Sequence, residues 1–99
     1  MDVDRLIGWN LRRLRRKLRL SQIDAAAQIA NSDQSSLSLI ERGLRTINVV
    51  TLYKIGRGLN VDIGELFNLK GVPKTITGDL DVLVSLERPS RQNNKTNNS

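Results

Sequence analysis

The chain has 99 residues, 16 Lys and Arg against 10 Asp and Glu, a formal charge of +6, and neither cysteine nor histidine. That length makes one domain with a core large enough to fold alone and too small to share with a separate catalytic lobe. Without Cys or His there is no disulfide framework, no thiolate nucleophile and no ordinary transition-metal ligand set, so no metal site, no cofactor and no enzymatic activity are expected.

The opening MDVDRLIGWN carries two aspartates where a secretory leader would be basic, and no apolar run approaches the ~20 residues that cross a bilayer. A soluble, cytoplasmic protein with no membrane partner is expected. Its charge is unevenly spread: residues 5–19 hold Arg5, Arg12, Arg13, Arg15, Arg16, Lys17 and Arg19 with no acid, whereas residues 20–67 are slightly acidic. Such a cluster points to a polyanionic partner, nucleic acid or an acidic membrane face, although a solvated helix face carries the same pattern.

In chain order, Ile7, Leu11, Leu14 and Leu18 form one apolar stripe on a helix over about residues 4–18. Ser21 is an N-cap before QIDAAAQIA, whose three alanines favour helix and permit close approach of a neighbour. Asn31, Ser32 and Asp33 make a polar break, Ser32 or Asp33 caps a third helix, DQSSLSLIERG, and Gly43 ends it in the left-handed conformation. A fourth helix starts after Asn48 with Val49, Leu52, Ile55 and Leu59 on its inner face. Asp62 caps a short fifth, IGELF, with Ile63, Leu66 and Phe67 against the core. Gly56 and Gly58 lie inside the fourth helix, outside the strand context of a nucleotide motif, and fit close packing instead. Residues 75–86, TITGDLDVLVSL, alternate Leu80, Val82, Val84 and Leu86 at a strand period, while Leu80, Leu83 and Val84 also suit a helical turn; strand is preferred. The tail from Arg88 is polar, asparagine-rich and expected to be disordered.

Helices over 21–30 and 33–42 joined by a three- or four-residue turn have the geometry of a helix-turn-helix. With LSQ opening the second helix, IERG closing the third and LNVDIGELF in the last, the segment from Ile7 to Phe67 resembles the Cro and phage-repressor (Xre) family of regulators. The resemblance implies an all-α, five-helix lambda-repressor-like DNA-binding domain over residues 1–69. To this the chain adds an extension over 70–87, as a dimerisation element or a cover over the core, and a tail over 88–99. It implies a bacterial or phage-encoded transcriptional regulator, a repressor or autoregulator, that binds double-stranded DNA as a homodimer at a pseudo-palindromic operator. The alternative is a protein-interaction module, such as an antitoxin or anti-activator, that chiefly binds a protein partner.

Three departures from the family pattern stand out. One extra residue lies between Ser21 and Glu41, most simply in the turn around Asn31 and Ser32; Ala30 occupies the usual glycine position; and Asn48 replaces a proline. In family members the N-terminal half of the third helix lies in the major groove, which makes Gln34, Ser35, Ser36, Ser38 and Leu39 the candidate base contacts. Glutamine can pair bidentately with adenine, serine can donate or accept at several edges, and leucine can meet a thymine methyl. The resemblance also pairs Glu41 with Arg15 as a structural ion pair between the first and third helices. It assigns phosphate contacts to Gln22, Arg42, Arg45 and Thr46, with Arg12, Arg13, Arg16 and Arg19 supplying long-range attraction.

Overall fold

The computed structural model describes residues 1–78, which contain five α-helices, one 3-10 helix and no strand. The helices are α1 (Val3–Lys17), α2 (Gln22–Gln28), α3 (Gln34–Glu41), α4 (Val49–Leu59) and α5 (Lys74–Thr77), with the 3-10 helix at Ile63–Phe67 between α4 and α5. Local chemistry sets most of the starts. Side chains of Ser21, Asp33, Asn48 and Asp62 each accept a backbone N–H within the first turn of the segment they precede, at 3.0, 2.8, 2.8 and 2.8 Å. Each bond satisfies one of the N–H groups that a helix leaves without an internal partner. Between the two candidate caps of α3, Asp33 is the one used.

The core is built from Ile7, Leu11 and Leu14 of α1, Ala25 and Ala26 of α2, Leu37 and Ile40 of α3, Leu52, Ile55 and Leu59 of α4, and Leu66. Four apolar residues expected inside lie outside. Leu18 is the C-cap of α1, where the helix has ended, and is exposed. Val49 opens α4 and is 76% exposed, and Ile63 and Phe67 flank the buried Leu66 at 42% and 41%. The 3-10 geometry accounts for Phe67: with three residues per turn it falls a third of a turn away from the stripe through Ile63 and Leu66, and Ile63, on that stripe, is exposed at the start of the segment.

The turn between α2 and α3 bends at Asn31, which has a φ of +56°. Asparagine tolerates the left-handed region far better than alanine does, so Ala30 stays in ordinary backbone and the asparagine supplies the bend that glycine would otherwise supply. Gly58 of α4 lies where a Cβ would come within 2.3 Å of the Gln28 carbonyl oxygen, so α4 meets the end of α2 backbone to backbone. Beyond the 3-10 helix, Pro73 sets the φ that starts α5, and Ile76 is buried. The Asp2 amide donates to the Ile76 carbonyl at 3.0 Å and the Arg5 guanidinium donates to the Thr75 carbonyl at 3.4 Å. The start of the segment expected as a strand, 75–77, is therefore helical and lies on α1. Its remainder, 79–86, and the polar tail expected to be disordered lie outside the described residues.

Candidate nucleic-acid interface

Everything at the C-terminal end of α3 is anchored. Arg15 of α1 donates from Nε to Glu41 Oε2 at 2.6 Å, from Nη2 to Glu41 Oε1 at 3.0 Å, and from Nη1 to the Leu20 carbonyl at 2.9 Å. The two side chains are 10% and 3% exposed, so this is a bidentate pair shielded from solvent. The hydrogen bond to Glu41 raises the Arg15 pKa above its ordinary value, against the opposing effect of burial. Gly8 of α1 lies directly beneath the same end of α3. A Cβ there would fall 2.3 Å from the Ile40 carbonyl oxygen and 2.7 Å from that of Glu41. Past the helix, Gly43 takes a φ of +71° and the Leu44 amide donates back to the Leu39 carbonyl at 2.9 Å, closing the C-terminus.

The buried pair extends outward through two glutamines. Gln22, at the start of α2, donates to Glu41 Oε1 at 3.2 Å and accepts from Gln34 Nε2 at 2.8 Å. Gln34, the first residue of α3, is thus tied through Gln22 and Glu41 to Arg15. Gln34 and Ser35 are exposed, while Ser36, Ser38 and Leu39 are half-buried, so the N-terminal half of α3 presents a short polar face. The Ser36 amide holds the Asp33 carboxyl below the ordinary aspartate pKa, with a smaller contribution from the charge of Arg45.

The residues after α3 already have partners. Arg45 donates to the Ser36 hydroxyl at 3.1 Å, Arg42 donates from Nε to the Ser38 carbonyl at 3.4 Å, and Thr46 donates to Asp4 Oδ2 at 2.7 Å. Arg45 therefore lies over the first turn of α3 with most of its guanidinium donors unused. Thr46 has committed its one proton to a carboxylate and offers an incoming oxyanion nothing unless it turns away from Asp4. Of the further arginines, Arg13 is taken up by the Asn10 side chain and by Glu65 at 3.3 Å, whereas Arg12, Arg16 and Arg19 are exposed and have no partner among the described residues.

Three contributors to this geometry escaped the sequence reading. Asp4 restrains Thr46 across 42 positions of chain, and nothing local marks it. Gly8 had a usable signal, since it lies on one helical stripe with Leu11 and Arg15. Asn10 is fully buried and donates to the carbonyls of Leu66 and Asn68 at 2.9 Å each and to that of Leu6 at 3.2 Å, which clamps the 3-10 helix to α1.

Two short helices at a bend, the second locked at one end, polar at the other and flanked by arginines, define a helix-turn-helix DNA-binding domain. Among the described residues no helix is long and apolar enough to cross a membrane. Comparison with known proteins agrees with that class. Residues 11–66 match the helix-turn-helix family HTH_3, and the chain belongs to this family of DNA-binding transcriptional regulators. It is 42% identical over 66 residues to an uncharacterized HTH-type transcriptional regulator, y4dJ, of Sinorhizobium fredii, covering 67% of this chain and 84% of that one. The control protein C.MunI of a Mycoplasma species is 41% identical over 68 residues, covering 68% and 90%. The crystal structure of the restriction-modification controller protein C.AhdI from Aeromonas hydrophila is similar at a TM-score of 0.60 with 33% identity, covering 65% and 91%.

Proposed function

We propose that the protein is a sequence-specific regulator that binds a pseudo-palindromic operator as a homodimer, inserts α3 into the major groove, and represses or autoregulates its own transcription in the bacterial cytoplasm. The likeness to C.MunI and C.AhdI extends this reading to control of restriction-modification genes. The observation that carries it is the chain of side chains running from Arg15 through Glu41 and Gln22 to Gln34. One Gln34 N–H is held by Gln22, and its oxygen and second N–H remain free to meet adenine N6 and N7, the pairing expected of a base-reading glutamine. Ser35, Ser36, Ser38 and Leu39 complete the reading face, and Gln22, Arg42 and Arg45 orient it on the DNA phosphates, with Thr46 joining them only by releasing Asp4.

A single helix of this length reads only a few base pairs, so selectivity calls for a second copy about one helical turn away. The exposed side chains of Val49, Val50 and Tyr53 on α4, with Ile63 and Phe67 of the 3-10 helix, are the apolar surface best suited to meet that copy. The described part of the extension supports this choice, because Ile76 is already covered by its own chain. A gel shift of the full chain against the DNA upstream of its own gene tests the reading. Retardation that survives excess random duplex, with protection of two symmetric half-sites, is expected. Binding that random duplex competes away equally would refute it.

A further inference from the structure

A cleft of about 160 Å³ opens beneath the first turn of α3, between the α2–α3 turn, the loop after α3 and the outer side of α4. Its lining is mixed, apolar from Ile29, Leu37, Ile40, Ile47 and Ile55 and polar from Ser32, Ser36, Arg45, Asn48, Thr51 and Lys54. No carboxylate lines it. Lys54 is half-buried and has no hydrogen-bond or ion-pair partner among the described residues, nor do the hydroxyls of Ser32 and Thr51. Asn48 uses its side-chain oxygen to cap α4, which leaves its amide NH2 free. An ammonium and a guanidinium that line one cleft with no carboxylate between them favour an oxyanion, which both can meet with charge-assisted hydrogen bonds. The space suits a small ligand. It exceeds several-fold the ~10–15 Å³ that admits one water, which is room for a phosphate group.

We propose that this cleft is a phosphate-binding site, with Lys54 and Arg45 as its two cationic walls and the Thr51 and Ser32 hydroxyls and the Asn48 amide as its neutral donors. The phosphate comes either from solution, which makes the site an effector pocket under the reading helix, or from the DNA backbone, which makes Lys54 a further backbone contact. The second source rests on the operator-binding function proposed above; the first does not. Arg45 reaches both the cleft and the Ser36 hydroxyl of the reading face, so an occupant bound through its unused donors is placed to alter how α3 meets a base.

The test uses the full chain and inorganic phosphate as the probe, titrated at constant ionic strength against chloride while backbone amide shifts are followed by NMR. Saturable shifts at Ser32, Thr51 and Lys54 that disappear in Lys54→Met and persist in Lys17→Met identify free phosphate as the ligand. Lys54→Met keeps most of the side-chain stem, and an unchanged amide spectrum elsewhere verifies its fold. If phosphate gives no saturable shift but Lys54→Met flattens the slope of log operator affinity against log salt by about one unit, the phosphate is supplied by DNA. Absence of both effects overturns the proposal. Saturable phosphate shifts in a wild-type protein that shows no operator preference would leave this site standing and refute the operator reading alone.

Discussion

At its C-terminal end α3 is held by a bidentate ion pair, by a glycine that lets two backbones nearly touch, and by a left-handed closing turn. At its N-terminal end, eight residues away or fewer, it is held by one capping aspartate, one amide-to-amide bond and one arginine laid across the first turn. The first end is dry and stiff, and the second is wet and adjustable. Positioning and reading place opposite demands on side chains. A positioning group must lose its water and keep one geometry, whereas a reading group must keep spare donors and acceptors for a base. With Gln34 reading a base as proposed, separating the two along a single short helix lets each demand be met.

The largest expected effect breaks the stiff end. Glu41→Ala strands Arg15 without its counter-charge and should destabilise the fold by about 3–5 kcal/mol, because an uncompensated buried charge is left behind. For a domain of this size each kcal/mol lowers the melting temperature by roughly 4–8 °C. The pair Arg15→Met with Glu41→Leu should recover most of that loss, which melting curves of the two variants and wild type read directly. If the single variant melts like wild type, the pair is decorative.

The next effect falls on the wet end. Gln34→Ala should weaken binding to the preferred operator by roughly 1–3 kcal/mol while leaving non-specific affinity and thermal stability close to wild type. Gln22→Ala should lose part of the same selectivity, since it frees Gln34 from its fixed orientation. Equal losses on operator and random duplex would take Gln34 out of the reading set.

Smaller again is Arg45→Ala. It should lower affinity for all duplexes by a similar factor and flatten the salt dependence by about one unit, one counterion fewer being released. An altered preference at one base pair with an unchanged slope would show that its contact with Ser36 places it on the reading side of the divide.

The smallest is an effect of pH at the cap. Asp33 has a folded pKa below its ordinary value of 3.8, so its contribution is present above that value and is lost as pH falls through the lower, folded value. The Asp33→Asn variant keeps a side-chain oxygen for the cap without a titrating group. Wild type should therefore lose stability faster than Asp33→Asn in acid unfolding below pH 3.8, with no divergence at neutral pH.

Much of this architecture is local, and that is why so much of it was legible in sequence. Ser21, Asp33, Asn48 and Asp62 act within three residues of themselves, and the inward positions of α1 to α4 recur at helical spacing. The contacts that escaped are those made at a distance. Asn10 reaches carbonyls 56 and 58 positions later, and no composition or period marks a buried amide. The inward placement of Phe67 failed because the α-helical period was applied to a segment that winds more tightly, and that of Ile63 because it opens the segment. Val49 and Leu18 failed because a stripe was extended past the residues that actually pack. For the site, the types and order of Gln34 to Leu39 were readable, but the commitments of Thr46 to Asp4 and of Arg45 to Ser36 depend on which loops the fold brings together.

Asn10 has one more consequence. Its single side chain ties the 3-10 helix to α1, and on the opposite side of α1 Gly8 and Arg15 tie α3 to the same rod. The exposed Ile63 and Phe67 of the 3-10 helix and the polar face around Gln34 are thus fastened to one helix by groups that cannot let go separately without exposing a buried amide or charge. In amide hydrogen exchange, α1, α3 and the 3-10 helix should open together at the global unfolding free energy, while α5, tied by two hydrogen bonds and Ile76, exchanges by local fraying. A domain cooperative in this way moves as one body, so the angle between the two reading helices of a dimer would be set at the subunit contact and not by bending within either copy.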